Sequence, residues 1–375
     1  MKKIVFLIDN LKGGGAEKAI KIIVEGLYEK GFNPIVILLE NQQDYILKDG
    51  IEVYSLSQIM NKFNFIGLYF KLLKLLRQLK PDIIYATNSK AQILSLLSKP
   101  FFNTKRIINI QVDLTKQYEG REYIFNFYNK LLNYADSYSF ISYGIYDNLK
   151  NKIPQKDKVF IPNAIDFDEI DRLKIENIED KYKSIFEKKV FITIGRLTEQ
   201  KGQWILLEAF SKIKEDSNLV ILGSGEKEEE LKKLAKKLGI EKRVFLLGFQ
   251  KNPFKFLYNA DIFVLSSLWE GFGNVIVEAM RCELPIISTD CPSGPREILA
   301  PSSDIFKRLV DNNEFCEFGI LSPVDDDINL SLAMNEMIKD DKLSIKYKEQ
   351  SILRANDYSK NIVVDSFIEK VLCVE

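Results

Sequence analysis

The chain has 375 residues, enough for two or three domains, and its 53 basic and 53 acidic residues give a formal net charge of zero. This balance argues against a protein that binds nucleic acid through overall charge, and no nucleic-acid partner is predicted. Histidine, the most frequent general base near neutral pH, is absent. Four cysteines in no metal-binding spacing favour a reduced, cytosolic protein without a metal site.

The first half of the chain alternates predicted strands and helices. Strands are predicted over Ile4–Ile8 and over 34–39, 51–54, 81–85 and 107–110, which indicates a parallel, doubly wound α/β sheet. Three glycines follow the first strand, at the edge where open α/β sheets bind ligands. Gly14 and Gly15 are therefore candidate binding residues, and a simple tight turn is the alternative reading.

The segment 61–80 combines basic and apolar residues and contains no acidic residue. Lys71, Lys74 and Arg77 recur every three residues beside a wide apolar face. Such a helix is suited to an anionic membrane surface. The alternative is a crossover helix that packs on the sheet with solvated lysines, and both descriptions can hold together. Farther on, the tyrosines and phenylalanines up to Phe127 predict an aromatic helix and strand packed on the first sheet.

A polar turn near residue 165 indicates the domain boundary, and the strand-to-glycine pattern then repeats. A strand over 190–194 leads into Gly195 and Arg196, and Lys201 precedes the next helix, which places two cations at a sheet edge. A charged helix over 226–238 is predicted to be solvated. The strand over 244–247 ends at Gly248 and Phe249.

The stretch from 261 to 298 reads as strand, loop, helix and strand. The strand Ile262–Leu265 is followed by Gly271 and Gly273, whose bare backbone can approach a ligand at the start of a helix. Glu270 and Glu278 are eight residues apart, so their carboxylates are expected about 10 Å from each other. That distance suits two contacts on an extended ligand better than one metal ion.

Several of these segments occur together in one known family. The segments ITIGRLTEQKG, LGSGE, FLLGF, NADIFVLSSLWEGFGNVIVEAM and IPNAID, preceded by GGGAEKA and PDIIYAT, resemble the retaining glycosyltransferases of family 4. The resemblance implies the GT-B fold, with two facing Rossmann-like domains and an active site in the cleft. It implies an N-terminal acceptor domain over 1–165, completed by a C-terminal helix over 357–375. The nucleotide-sugar donor domain would cover 166–356.

The resemblance also implies roles for individual residues. Arg196 and Lys201 would bind the donor diphosphate, because charge-assisted hydrogen bonds contribute about 1.5–3 kcal/mol each, and would stabilise the leaving group. Glu270 would face the donor sugar, and Glu278 would accept hydrogen bonds from ribose hydroxyls. The implied catalytic set is Arg196, Lys201 and Glu270. The implied donor-binding set is Gly14, Gly15, Gly248, Phe249, Gly271, Phe272, Gly273, Asn274, Val275 and Glu278.

Retention of configuration is implied by the family and not by spacing. No carboxylate pair suited to a two-step route is evident in the sequence, so front-face attack is favoured, with the leaving phosphate oxygen taking the acceptor proton. Where many family members have a histidine after the fifth strand, this chain has Gln111 and Asp113, either of which is a candidate replacement. The triple aspartate at 325–327 is interpreted as a solvated turn.

The predicted function is transfer of one sugar from a UDP-sugar to a hydroxyl of a lipid-linked or cell-envelope oligosaccharide, such as an O-antigen or capsule. No cofactor is expected beyond the donor. The predicted location is cytoplasmic, or peripheral on the inner face of the cytoplasmic membrane. Two alternatives remain: a UDP-sugar epimerase or hydrolase on the same fold, and a non-catalytic nucleotide-sugar-binding protein.

Overall fold

The structure is a computed structural model that describes residues 2–57 and 65–373. The chain divides into two compact units. The first unit takes the chain up to Ile165 and again from Lys360 onward, and the second unit is Asp166–Ser359. Within the described residues, no helix has the length and apolar character needed to cross a bilayer.

The first unit is a doubly wound α/β unit, as the alternation of strands and helices predicts. Among its described residues, seven parallel strands lie in the order β3-β2-β1-β4-β5-β6-β7. The central strands are continuous apolar runs because helices cover both of their faces. The strands are β1 Ile4–Ile8, β2 Ile35–Leu38, β3 Glu52–Ser55, β4 Ile83–Thr87, β5 Lys105–Ile110, β6 Ser137–Phe140 and β7 Asp157–Phe160. The helices before the boundary are α1 Gly15–Glu29, α2 Phe65–Leu79, α3 Ser89–Leu97, α4 Leu114–Gln117, α5 Glu122–Leu131 and α6 Tyr143–Leu149.

The second unit repeats this architecture, with sheet order β10-β9-β8-β11-β12-β14-β13. The short edge strand β13 pairs antiparallel with β14, a hairpin-like addition that the sequence did not predict. The strands are β8 Lys189–Ile194, β9 Ser217–Leu222, β10 Val244–Gly248, β11 Ile262–Leu265, β12 Ile286–Thr289, β13 Glu314–Phe315 and β14 Ile320–Ser322. The helices are α7 Phe167–Lys174, α8 Asp180–Lys183, α9 Gln203–Ser211, α10 Glu228–Lys237, α11 Phe254–Asn259, α12 Asn274–Arg281, α13 Pro295–Leu299, α14 Asp327–Lys339 and α15 Asp341–Ala355.

After α15 the chain returns to the first unit as the helix α16, Lys360–Phe367. Val363 and Phe367 are fully buried in the core of the first unit, where the Phe367 ring lies 5.8 Å from the ring of Phe6. Gly26 on α1 faces Val364 so closely that an added Cβ would collide with that side chain. The last turns of the chain are therefore an integral layer of the first unit.

Helix α2 packs as a crossover helix, as one of its two predicted readings requires. Its buried stripe is entirely leucine, at positions 68, 72, 76 and 79. The opposite side exposes Ile66 and Phe70, and the basic residues Lys71, Lys74 and Arg77 are exposed as well. Positions 61–64 of the predicted segment lie outside the described residues.

The aromatic segment up to Phe127 continues into a helix, α5, as predicted, but only part of the aromatic surface of this helix is buried. Tyr128 is fully buried, and its hydroxyl donates to Gln92 Oε1 at 2.5 Å. Tyr123 and Phe127 lie on other sides of the helix and are exposed. A helix that packs on its unit through one face cannot bury aromatic residues on every side.

The triple aspartate has structural partners at the start of α14. Asp326 caps the helix by accepting the N–H of Asn329 at 2.8 Å, and Asp327 forms an ion pair with Lys212. Asp325 is exposed. In the part of the chain that the structure describes, no group of three or more potential ligands is placed to hold a metal ion.

Candidate active site

The predicted residues of the second unit gather at the carboxyl edge of its sheet. The strand order reverses between β8 and β11, and open α/β sheets bind ligands at the crevice that such a reversal creates. The loop after β8 carries Arg196 and Lys201, and the loop after β11 carries Glu270. These two loops are the walls of that crevice.

Lys201 and Glu270 form an ion pair across the crevice. Lys201 Nζ lies 2.5 Å from Glu270 Oε1, and the side chains are only 15% and 7% exposed. The buried hydroxyl of Ser267 donates to the same oxygen at 2.6 Å. Oε1 is thus held by two donors, which fixes the rotation of the carboxylate. The sequence places both residues at this edge, but it does not indicate that they bind each other.

Arg196 differs from Lys201 in being exposed. Within residues 2–57 and 65–373, its guanidinium forms no hydrogen bond or ion pair. Only its backbone is engaged, with the carbonyl accepting from Gln203 Nε2 at 3.0 Å. A guanidinium carries five N–H donors in a planar fork that suits phosphate oxygens. Arg196 is therefore available to an anion without breaking an existing ion pair.

Glycines bring the ends of β8, β9 and β10 into backbone contact. The N–H of Gly223 donates to the carbonyl of Gly248 at 2.9 Å. Gly223 has φ +134°, and an added Cβ would collide with the carbonyl oxygen of Gly195. The three loops can meet this closely only because no side chain lies between them. Phe249, directly after Gly248, presents an exposed ring.

The loop from Gly271 to Gly273 leads into α12. Gly273 has φ +90° and is the residue before the helix, so the N–H groups of the first turn, including Asn274 and Val275, start at the crevice. The first four N–H groups of a helix lack intrahelical partners and attract anions. The buried ring of Phe272 lies 5.2 Å from the ring of Tyr358, which anchors the loop from beneath. Glu278 lies one turn farther along α12 and is half-buried.

Gly14 and Gly15 lie at the equivalent edge of the first sheet, where the order reverses between β1 and β4. Glu17 lies over Gly14 and accepts a hydrogen bond of 2.7 Å from Asn88 Nδ2, which joins the first turn of α1 to the residue before α3. Asn88 has φ +66° and ψ +146°, a region that costs a residue other than glycine about 1–3 kcal/mol. The structure places Gly14 and Gly15 together at this edge of the first sheet.

The structure favours Gln111 over Asp113 as the residue available to a ligand. Asp113 caps α4 by accepting the N–H of Thr115 at 2.9 Å, and its other oxygen accepts from Asn148 Nδ2 at 3.2 Å. Gln111 donates one hydrogen bond of 3.3 Å to Thr87 Oγ1. The amide oxygen of Gln111 has no hydrogen-bond donor among the described residues, so it remains able to accept.

Asp9, directly after β1, caps the helix α3. Asn88, the residue before that helix, forms no capping hydrogen bond with its side chain. Asp9 Oδ1 accepts the N–H of Ala91 in the first turn of α3 at 2.8 Å. Burial is the main cause that raises the pKa of Asp9 to about 6, with nearby Glu40 adding to the rise and Lys90 opposing it. The carboxyl of Asp9 therefore keeps its proton to a higher pH in the folded chain than in the unfolded chain.

We expect Asp9→Asn to stabilise the first unit at pH 7.5 by up to about 3 kcal/mol. The asparagine oxygen can still accept the Ala91 N–H, and the cost of a buried charge is removed. Because the folded pKa is raised from 3.8 to about 6, wild-type stability falls as pH rises through this window. The gain of the variant should therefore shrink towards pH 4. Denaturant unfolding at both pH values measures it, and lower stability of the variant at pH 7.5 would contradict the prediction.

Sequence reasoning missed Ser267, Glu17, Asn88 and Asp9. The only available signal was their position in the chain. Asp9, Asn88 and Ser267 lie within a few residues of the carboxyl end of a predicted strand, and Glu17 lies just after the glycines that follow the first strand. Their partners are far away in the chain, so the contacts depend on strand order.

Comparisons with known proteins agree with this architecture. The family model described as Glycosyltransferase Family 4 matches residues 13–169, and the model described as Glycosyl transferases group 1 matches residues 174–354. An uncharacterized glycosyltransferase of Methanocaldococcus jannaschii is 34% identical over 342 residues, covering 81% of this chain and 82% of the relative. The chain belongs to glycosyltransferase family 4.

Other relatives of this family 4 glycosyltransferase agree. A Campylobacter jejuni protein named as an N-acetylgalactosamine-N,N'-diacetylbacillosaminyl-diphospho-undecaprenol 4-alpha-N-acetylgalactosaminyltransferase is 29% identical, with 96% of each chain covered. The crystal structure of Anabaena HepE in complex with UDP has a TM-score of 0.80 and 19% identity, covering 99% of this chain and 100% of HepE. The prediction of a GT-B glycosyltransferase is confirmed.

Proposed function

We propose that this glycosyltransferase transfers one sugar from a UDP-sugar to a hydroxyl of a lipid-linked or cell-envelope oligosaccharide, with retention of configuration. The observation that carries the proposal is the crevice between the loops after β8 and β11. It offers the exposed Arg196 to an anion and holds a carboxylate, Glu270, in a fixed orientation by Lys201 and Ser267. A nucleoside diphosphate sugar presents the matching groups, a pyrophosphate beside neutral hydroxyls.

The identities of donor and acceptor are drawn from relatives. HepE was crystallised with UDP and with UDP-glucose, and the C. jejuni relative is named for a diphospho-undecaprenol acceptor. In this chain, Gly248 and Phe249 would contact the base and Glu278 the ribose. The N–H groups from Gly271 to Val275 would contact the sugar and the distal phosphate.

The proposed reaction requires no cofactor and no histidine. The bond from the donor anomeric carbon to the phosphate oxygen breaks, and its electron pair stays on the phosphate. The acceptor oxygen bonds to the same face of that carbon and loses its proton to the departing phosphate oxygen. Arg196 and Lys201 stabilise the negative charge that develops on the phosphate, which is the usual main source of such rate enhancement. Glu270 accepts a hydrogen bond from the donor sugar.

Incubation with a panel of UDP-sugars and oligosaccharide acceptors tests this function. We expect UDP release that depends on both partners, with product mass increased by one sugar. Donor consumption without acceptor would favour the epimerase or hydrolase, which product mass distinguishes. UDP binding without turnover across the panel would favour the non-catalytic binding protein.

We also propose that the first unit docks on an anionic membrane surface, at the inner face of the cytoplasmic membrane, through α2. The exposed side of this helix combines Ile66 and Phe70 with Lys74 and Arg77, an arrangement that places apolar groups among lipid headgroups beside cations. A lipid-linked acceptor would then be reached from the surface that carries it.

Flotation with liposomes containing anionic lipid should recover the protein at low salt and less of it at high salt, because salt screens the attraction. The double variant Ile66→Ser/Phe70→Ser should lose most binding. The control Ile345→Ser/Leu353→Ser, which removes two exposed apolar residues of α15, should bind normally. Equal binding by both variants, or binding indifferent to salt, would exclude this docking surface.

A further inference from the structure

The turn from Asp290 to Arg296, which follows β12 and includes the first two residues of α13, lies directly against the loop that carries Glu270. The N–H of Glu270 donates to the carbonyl of Pro292 at 3.3 Å. Gly294 has φ +87° and packs so closely on the carbonyl of Phe272 that an added Cβ would collide with it. The position of this turn therefore determines the position of the backbone from Glu270 to Phe272.

The two ends of the turn are joined by a buried ion pair. Arg296 Nε lies 2.9 Å from Asp290 Oδ1, and a terminal nitrogen of the guanidinium lies 2.8 Å from Oδ2. Both side chains are at most 1% exposed. Two parallel charge-assisted hydrogen bonds fix the relative orientation of the groups as well as their distance. The pair thus closes the seven-residue turn in one geometry.

The same pair holds the neighbouring segments in place. Asp290 Oδ2 accepts the N–H of Leu309 at 2.8 Å, and Arg296 also bonds to Ser303 Oγ and to the carboxylate of Glu314, both at 3.2 Å. The charges are fully compensated although they are removed from water. A buried ion pair of this kind gains little stability over well-packed apolar residues. What it provides in addition is a fixed geometry.

We propose that the Arg296–Asp290 pair is a positioning device for Glu270, and that through Glu270 it sets the rate of sugar transfer. The inference rests on the proposed role of Glu270 towards the donor sugar. The pair does not touch the donor. It acts through the Pro292 and Gly294 contacts. These contacts hold the loop after β11 in the position in which Glu270 accepts hydrogen bonds from Lys201 and Ser267.

The variants Arg296→Lys and Asp290→Asn test the proposal. Lysine keeps the charge but cannot form the two parallel hydrogen bonds. A displacement of the Glu270 loop by about 1 Å is expected to lower kcat by roughly 10- to 100-fold. The UDP dissociation constant, measured by calorimetry, should rise by a smaller factor than kcat falls. Arg196, Gly248 and Phe249 lie on other loops, and only the proposed contacts of 271–275 with the distal phosphate move with Glu270. The control is Arg243→Lys. Arg243 lies just before β10, at the end of that strand opposite to Gly248, and donates hydrogen bonds to the carbonyls of Ile213 and Glu215.

Thermal unfolding first establishes that each variant is folded at the assay temperature. If Arg296→Lys and Asp290→Asn are folded and retain wild-type kcat, or lose activity only in proportion to their unfolded fraction, the proposal is wrong. If Arg296→Lys does not fold, Glu314→Gln decides, since it weakens the hold on Arg296 and otherwise removes only the contacts of Glu314 with Lys307 and Cys316. A several-fold lower kcat with a smaller change in UDP binding supports the proposal, and a wild-type kcat overturns it. A folded Glu270→Ala enzyme with wild-type kcat would instead refute the role of Glu270, so the two failures are distinguishable.

Discussion

Replacing either Lys201 or Glu270 with alanine should reduce sugar transfer by about 10²- to 10³-fold or more. Lys201→Ala removes a cation from the developing phosphate charge and also releases Glu270 Oε1 from one of its two donors. Glu270→Ala removes the group proposed to face the donor sugar. Initial rates of UDP release at saturating donor measure both effects.

Stability is the control that this experiment needs. Each single variant leaves one charge of a nearly buried pair without its partner, which costs about 3–5 kcal/mol in comparable buried sites. The variants must therefore be assayed where unfolding curves show them folded. Glu270→Gln keeps an acceptor for the Ser267 hydroxyl, and Lys212→Ala removes a surface ion pair as a matched lysine change. Wild-type turnover by both folded alanine variants would eliminate the proposed site.

Gly223→Ala is the second change with a large expected effect. A Cβ at this position would collide with the carbonyl of Gly195, and the neighbouring backbone has no flexible side chain that could give way. The strand ends of β8 and β9 must separate, so we expect a loss of stability above about 3 kcal/mol and a loss of UDP binding in any folded fraction.

Gly239→Ala is the matched control for Gly223→Ala. Gly239 also has a positive φ, of +71°, but an added Cβ there meets nothing within 4 Å. Its cost should be confined to backbone strain, about 1–2 kcal/mol. Denaturant unfolding of both variants separates strain from collision. Similar losses for the two would mean that the Gly195 contact relaxes readily.

Much of the fold follows from local sequence pattern. The strands Ile4–Ile8 and Ile262–Leu265 are observed at their predicted bounds because continuous apolar runs of strand length fit a sheet covered on both faces. The cations after β8 and the glycines after β11 were placed at a sheet edge for the same reason. A residue that follows a parallel strand can lie only at the carboxyl end.

What the sequence did not reveal depends on contacts between distant segments. Lys201 and Glu270 are 69 positions apart, and they meet because β8 and β11 are neighbours in the sheet. The two-residue strand β13 is too short to give any periodic signal. The exposure of Tyr123 and Phe127 was likewise not predictable, since composition indicates an apolar helix but not which of its faces is buried.

The return of α16 to the first unit has a consequence for the order in which the protein can be completed during synthesis. Val363, Phe367, Val371 and Leu372 belong to the same core as Phe6 on the first strand. A ribosome must therefore translate the entire second unit before the first can bury the part of its apolar surface that α16 covers. Until then, the face of α1 around Gly26 lies uncovered in the nascent chain.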